Sequence, residues 1–424
     1  MHSKLTKIKT IVKNPYTFSL ISKFFGVFVG FLFTVFQARF LGAEIKGQVA
    51  TVNSIVSVAA IVFALGIHQA YPYYKRNSDV DILPIFMRIA VFLLALYGVI
   101  STGTILLVDL PVKYIAVLIM SPLMVYDTIV SYVTLIEQPN KRNITDMLVM
   151  LGELILVIVL WRTSEPSFLI GLFIITIKDI TKVIIFTFWW RKRIFAPSES
   201  MWKWFPKLIK FGFFPMLSLL MATLNYRVDV IMLNGKVLDS AIGVYSIGVT
   251  VAERVWMIPD AMKGVMVSHL AKGKDARETA LVIRLCNTGC LILILGIIAL
   301  GKPFISLVFG AEYEGAYQIT LILLLGVFSM IYYKTIANYN IAMGKQTTSF
   351  VLLTASVISN IIANYLLIPV WGIYGAGIAS VISYALCGIL FVVFFYRTTH
   401  IPFGEMLFIK KADIAKAKKL LKRS

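Results

Sequence analysis

The sequence predicts an all-α polytopic membrane protein, on three observations. Of its 424 residues, 59% are hydrophobic and only 15% are charged, with a mean hydropathy of +0.84. Soluble domains are usually about 45–50% apolar and about 25% charged. The chain contains about twelve apolar runs of the ~20 residues that a transmembrane helix needs. Its Lys and Arg lie mainly between those runs.

The apolar runs place the spans in chain order. Spans are expected at 16–40, 47–70, 84–107, 114–137, 144–161, 167–190, 211–233, 241–262, 281–300, 316–338, 347–368 and 372–396. The eighth run is the least regular, because Glu253 and Arg254 interrupt it. We expect Pro215 and Pro259 to kink the seventh and eighth spans, because proline cannot complete the helical hydrogen-bond ladder.

The distribution of cations gives the orientation. Five of the six loops on one side hold a single cation each, at Lys46, Lys113, Arg162, Lys236 and Lys302, and the sixth holds none, whereas both tails and the loops on the other side are basic. Cytoplasmic loops carry the excess of Lys and Arg. Both termini are therefore predicted to be cytoplasmic. This topology accounts for the net charge of +20 without a nucleic-acid partner.

The chain is predicted to consist of two similar halves and a tail. The most basic internal connection, 191–210, divides six spans from six, and short segments before spans two and five resemble those before spans eight and eleven. We expect an N-terminal lobe at 1–200 and a C-terminal lobe at 201–396. The basic tail, 397–424, is typical of an amphipathic helix on anionic inner-leaflet lipids, although a solvated, frayed tail is equally compatible.

No pattern of catalytic residues is present. The sequence has no P-loop, no HExxH and no Cys/His cluster, so neither a nucleotide nor a metal is expected, and no cofactor is predicted. Cys286, Cys290 and Cys387 all lie in apolar runs and are expected to be packing residues. With short outside loops as well, the sequence favours a protein that is not an enzyme.

The informative residues are the charges inside predicted spans, because such charges usually face a bundle interior or a watery cavity. Lys23, Glu137 and Lys182 lie near span ends and are expected to extend toward the interface. The densest group is Arg227, Asp229, Glu253 and Arg254 in spans seven and eight.

Arg227 and Asp229 are two residues apart, so on a helix they point about 200° away from each other. We expect Arg227 to face a cavity and Asp229 to brace the bundle. Five asparagines in the second half are compatible with either a hydrated lining or helix–helix hydrogen bonds: Asn225, Asn338, Asn340, Asn360 and Asn364.

Four stretches together resemble one family. These are "FLGAEIKGQVATVNSIVS" (40–57), "DVIMLNGKVLDSAIGVYSIGVTVAERVWMIPDAM" (229–262), "GKPFISLVFGAEYEGAY" (301–317) and "NIIANYLLIPVWGIYGAGIASVIS" (360–383). They are similar to polysaccharide and O-antigen flippases of the multidrug/oligosaccharidyl-lipid/polysaccharide exporter superfamily.

The resemblance implies two pseudo-symmetric six-helix lobes around a central cavity that works by alternating access. It implies transport of undecaprenyl-pyrophosphate-linked oligosaccharide for lipopolysaccharide O-antigen or another surface polysaccharide. It also implies coupling to H+ or Na+ and contact with the polysaccharide polymerase machinery. The residues that match these roles are Arg39, Arg227 and Arg254 for substrate binding and Asp127 and Glu253 for ion coupling.

Three other functions stay open. A non-transporting scaffold is one, although it would not need charges inside its spans. An ion-coupled multidrug antiporter of the same superfamily would need an acidic cavity for cationic substrates, whereas the deep charges here include arginines. A membrane polysaccharide polymerase or ligase would need catalytic groups on outside loops, and these loops are short.

The topology can be tested with a reporter enzyme that is active only outside the cytoplasm. Fused after Ser424 it should be inactive, because the even number of spans returns the chain to the side of its basic N-terminus. The same reporter inserted after Lys236 should be active. Activity at Ser424 would overturn the predicted orientation.

Overall fold

The structure is a computed structural model that describes residues 15–263, 276–410 and Asp413, with side chains from Ile21 onward. This part of the chain is helical and contains no β-strand. The all-α prediction is confirmed.

The chain divides into two compact units, Met1–Leu220 and Met221–Ser424. The division falls inside a long helix, 20 residues after the lobe boundary at 200 that the sequence suggested. The predicted lobes and tail stay predictions.

The helices of the first unit follow the predicted spans. They are α1 (Pro15–Phe63), α2 (Ile67–Asn77), α3 (Leu83–Leu107), α4 (Val112–Glu137), α5 (Pro139–Thr163) and α6 (Phe168–Ile194). Helix α7 (Met201–Leu233) begins in this unit and ends in the next. Helix α4 packs against α1, α3, α5 and α6. It is therefore the central helix of the unit.

The second unit contains the remaining helices. They are α8 (Asp239–Glu253), a 3-10 turn (Arg254–Trp256), α9 (Ala276–Phe309), α10 (Ala316–Val327), α11 (Met330–Ala342), α12 (Gln346–Thr399) and α13 (Gly404–Leu407). Helix α10 packs against α8 and α12, and α11 packs against α9 and α12.

The longest helices each contain two spans. Helix α12 has 54 residues, or roughly 80 Å at ~1.5 Å per residue, against ~30 Å of bilayer hydrocarbon. Gly372, with φ 53° and ψ −127°, breaks it in the middle, and Gly42, with φ 72°, breaks α1 in the same way. Glycine is the residue that adopts these angles without steric cost.

Among the described residues, eight helical segments are long and apolar enough to cross a membrane, and α10 with α11 forms a ninth crossing bent by 42°. Two of the eight contain the breaks at Gly42 and Gly372, so each holds two spans. Helix α6, with 27 residues, is long enough to form one more span. The protein is thus a multi-pass membrane protein with about twelve helical spans, as predicted.

Two prolines leave backbone carbonyls free within spans, and neighbouring helices satisfy both. Pro122 removes the donor for the carbonyl of Leu118, which accepts a hydrogen bond from Ser101 Oγ of α3 at 2.8 Å. Pro259 likewise removes the donor for the carbonyl of Val255, which accepts a hydrogen bond from Cys290 Sγ of α9 at 3.4 Å. Each proline thereby fixes a contact between helices.

After the last span the chain folds back onto α9. We call residues 400–410 with Asp413 the C-terminal strap. The Arg284 guanidinium, which is 7% exposed, donates two hydrogen bonds to the Asp413 carboxylate at 2.7 and 2.8 Å, and a third to the carbonyl of Glu405. Asn287 Nδ2 donates to the carbonyls of Met406 and Leu407 at 3.0 and 3.2 Å. The root of the tail is therefore docked.

The rest of the tail, 411–412 and 414–424, lies outside the described residues, so its predicted amphipathic helix stays a prediction. The hydrogen bonds from Arg284 hold the pKa of the Asp413 carboxyl below its usual value. Because the folded pKa is lowered, the ionised carboxylate stabilises the docked strap above the ordinary Asp pKa of about 3.9. That contribution is lost as the pH falls through the lowered value.

Breaking this pair should release the strap. We expect Arg284→Met and Asp413→Asn each to accelerate tryptic cleavage after Lys410, within the strap, at least about tenfold, because breaking a buried pair costs about 3–5 kcal/mol. Lys302→Gln is the matched control, since it breaks an exposed Lys302–Glu314 pair of little energetic value. Unchanged cleavage in both strap variants would show that the pair does not hold the strap.

Candidate functional site

Asp229 lies in the interior of the second unit and joins three helices. It is 1% exposed. Its carboxylate accepts hydrogen bonds from Tyr245 of α8, from Ser380 of α12 at 3.3 Å and from the backbone amide of Val230 at 2.7 Å. These are the contacts that a bracing residue would make.

A ladder of amides and hydroxyls extends from Asp229 along the same face of α7. One helical turn earlier, Asn225 Oδ1 accepts from Ser383 at 2.5 Å and from Ser356 at 3.3 Å. Asn360 Nδ2 donates to the Asn225 carbonyl at 3.2 Å, and Asn364 Nδ2 donates to the Asn360 carbonyl at 3.0 Å. All five side chains are fully buried. These asparagines therefore join α7 to α12, the second of the two roles that the sequence left open.

The other two asparagines also make internal hydrogen bonds. Asn338 Nδ2 donates to the Lys334 carbonyl at 2.7 Å, and Asn340 Nδ2 donates to Ser349 Oγ at 3.0 Å.

Arg227 lies on the opposite side of α7 from Asp229, as the two-residue spacing requires. It is partly buried, and Glu253 of α8 is its leading electrostatic partner. The Oε1 atom of Glu253 is buried and accepts no hydrogen bond among the described residues. Arg254 follows directly, on the 3-10 turn that ends the first part of span eight. The structure thus brings three of the predicted site residues together.

Lys334 of α11 joins this group, although the sequence gave it no role. Its ammonium donates to Asp260 Oδ1 and Oδ2 at 2.9 and 3.2 Å. It also lies 4.9 Å from the ring centre of Trp256 and 5.8 Å from that of Tyr226, within the range of a cation–π contact. Glu253 is within its electrostatic reach. The available signal was a lysine inside a predicted span, four residues from its end.

Arg39 and Asp127 belong to the other unit. Arg39 is exposed on α1, three residues before the break at Gly42. Asp127 of α4 pairs with Lys182 of α6 at 3.1 Å, and Lys182 also contacts Asp146 of α5 at 3.2 Å. The expectation that Lys182 extends to the interface was wrong, because its side chain is only 13% exposed and lies between two carboxylates.

This charged group in the first unit carries one more acid than base. Glu153 and Asp179 are 8% and 4% exposed, and both are within electrostatic reach of Lys178 and Lys182. Arg142 contacts Asp146 at 2.9 Å. The acids are Asp127, Asp146, Glu153 and Asp179; the bases are Arg142, Lys178 and Lys182.

An apolar groove of about 460 Å³ lies apart from both charged groups, lined by α12 residues such as Ile358, Ile362 and Leu366. No group of three or more His, Cys, Asp or Glu side chains with metal-binding geometry occurs in the described part of the chain.

Solved structures of similar fold are transporters. The lipid II flippase MurJ in an inward closed conformation matches with a TM-score of 0.70 at 18% identity, over 95% of this chain and 91% of that one. A multidrug resistance MATE family transporter of the MOP superfamily, facing inward, matches with a TM-score of 0.67 at 12% identity, over 88% and 94%. The chain has the fold of the MOP-superfamily transporters.

A third MOP-superfamily transporter, from Pyrococcus furiosus, matches with a TM-score of 0.58 at 12% identity over 92% of this chain and 97% of that one. Its description reports a binding pocket of reversed polarity that suggests a different function. No protein-family model and no curated protein matches the chain.

The bracing role of Asp229 can be tested by stability. We expect Asp229→Ala to lower the free energy of unfolding by about 2 kcal/mol or more, because two buried hydroxyls and an amide lose their acceptor. Tyr245→Phe should cost less, about 1 kcal/mol, because it removes one donor. Asp109→Ala, at an exposed loop residue, is the control. Equal melting temperatures for Asp229→Ala and Asp109→Ala would refute the bracing role.

Proposed function

We propose that the protein is a flippase that moves undecaprenyl-pyrophosphate-linked oligosaccharide across the bacterial inner membrane by alternating access, with both termini in the cytoplasm. The observation that carries this proposal is the group of cations, Arg227, Arg254 and Lys334, inside a membrane-embedded helical unit. The fold that the chain shares with a lipid II flippase supports it.

The chemistry of the substrate fits these cations. A pyrophosphate ester carries several negative charges, and a guanidinium binds phosphate oxygens through two parallel hydrogen bonds while remaining charged. We assign Arg227 and Arg254 to the headgroup. Arg39 is a further candidate contact from the first unit. No covalent step is needed, so the protein acts as a transporter and not as an enzyme.

Ion coupling is proposed for two acids, Asp127 and Glu253. The charged group around Asp127 has one surplus acid, and a surplus charge inside hydrocarbon is costly unless a cation compensates for it. A proton or Na+ would supply that charge. Glu253 has a buried carboxylate oxygen without a hydrogen bond, beside the proposed headgroup residues.

The second candidate function is an ion-coupled multidrug antiporter. The acid-rich group of the first unit and the multidrug transporters among the structures of similar fold favour it. Because its substrates are cationic, this reading predicts that the acids, and not the arginines, determine binding. A polymerase or ligase is less well supported, since such an enzyme would need catalytic groups on outside loops, and the predicted outside loops are short.

The remaining partners follow from the proposed pathway. The substrate would feed O-antigen or another surface-polysaccharide assembly, so the polysaccharide polymerase machinery is the expected neighbour. The basic tail beyond the strap would contact anionic lipids of the inner leaflet.

Deletion and complementation test the proposal. In the deletion strain, lipid-linked repeat units should accumulate on the inner leaflet. Arg227→Ala and Arg254→Ala should each restore about one tenth of wild-type export or less, because a hydrogen bond to a charged group is worth about 1.5–3 kcal/mol. Protein level should stay normal. Arg162→Ala, at an exposed arginine, should complement fully.

Each reading predicts a different pattern. Full export in both arginine variants would contradict the proposed headgroup site. Normal surface polysaccharide with increased sensitivity to cationic drugs in the deletion strain would favour the antiporter. Unpolymerised units on the outer leaflet would indicate a polymerase.

A further inference from the structure

Lys334 is held by two kinds of partner that differ in how easily they can leave. Asp260 is the charged partner, and its side chain is 58% exposed, whereas that of Lys334 is 16% exposed. Trp256 is the aromatic partner and is only 4% exposed. Its indole Nε1 donates to the Val327 carbonyl at 3.0 Å, which fixes the ring. The exposed carboxylate has room to rotate away from Lys334, whereas the buried ring is held by its hydrogen bond.

The charges around Lys334 balance. Glu253 lies within electrostatic reach of Arg227, Asp229, Lys334 and Arg254, and Asp260 pairs with Lys334. The cations are Arg227, Arg254 and Lys334; the acids are Asp229, Glu253 and Asp260. A neutral group is what a membrane interior favours, because uncompensated charge there is costly.

An anionic ligand that enters a neutral group must therefore separate a cation from its acid. Asp229 cannot leave, since it is buried and accepts three hydrogen bonds. Glu253 is partly buried, with one oxygen out of contact with water. Asp260 is exposed and makes its contact at the last turns of span eight, so its departure costs the least desolvation.

We propose that Asp260 is an exchangeable counter-ion, which neutralises Lys334 until the anionic phosphate group of the substrate replaces it. The ligand class is a pyrophosphate or phosphate ester. Trp256 and Tyr226 keep the ammonium in place during the exchange, because a cation–π contact persists when the carboxylate leaves. The inference rests on the proposed function and adds Lys334 to the headgroup site.

The exchange makes a specific prediction about affinity. Removing the charge of Asp260 frees Lys334 in advance, so the ligand no longer competes with the carboxylate. Removing Lys334 makes Asp260 irrelevant to binding. A residue of merely structural importance would show neither the gain nor its dependence on Lys334.

The test measures dissociation constants of the purified full-length protein in nanodiscs, with undecaprenyl pyrophosphate as the probe and undecaprenol as the neutral reference. Asp260→Asn should tighten binding of undecaprenyl pyrophosphate about 2- to 5-fold, the size of one partly exposed ion pair. Lys334→Met should weaken it, and Asp260→Asn should then have no further effect. Lys334→Arg keeps the charge and should retain the response. Glu314→Gln, in an exposed pair, is the control.

The outcomes separate the two proposals. If wild type binds undecaprenyl pyrophosphate and Asp260→Asn binds it equally or more weakly, the exchange is overturned and the proposed function stands. If wild type prefers undecaprenol or binds neither lipid, both are overturned. Inorganic pyrophosphate serves as a separate arm: stronger binding than the lipid would assign the site to a soluble anion and overturn the proposed substrate.

Discussion

Hydrocarbon offers no water to a polar group, so each charge inside a span needs a partner from the protein itself. In the first unit, Lys182 lies between Asp127 and Asp146, which joins three helices through one ammonium. In the second, Asp229 joins three helices through one carboxylate. These two residues do the same structural work with opposite charge. In both units the neighbouring helices therefore pack so that they supply partners to these two charged side chains.

The same requirement separates structural charges from those available to a ligand. Both carboxylate oxygens of Asp229 accept hydrogen bonds, and replacing the residue would disturb the bundle. Arg227, only two residues away, has charged neighbours without such a closed set of hydrogen bonds. Asp260, the carboxylate partner of Lys334, is exposed. The residues proposed to contact a substrate therefore differ from Asp229, which is held on both carboxylate oxygens.

Much of the fold could be predicted, because a span is a local property of about 20 consecutive residues. Hydropathy located the spans, and the spacing of Arg227 and Asp229 gave their opposite directions. The pairing of Lys182 was missed, since its partners are 55 and 36 positions away in the chain and only packing brings them together. Lys334 was missed for the same reason: its carboxylate and its aromatic partners come from helices distant in sequence.

The thiol of Cys290 has a consequence for any labelling study of this protein. All three cysteines are buried, so a cysteine-free background for accessibility mapping looks simple to make with alanine. At 290, however, the thiol donates to the carbonyl that Pro259 leaves free, next to the turn that presents Arg254. Alanine would leave that carbonyl without a donor inside the bilayer. Serine keeps a donor there and is the replacement that preserves the geometry under study.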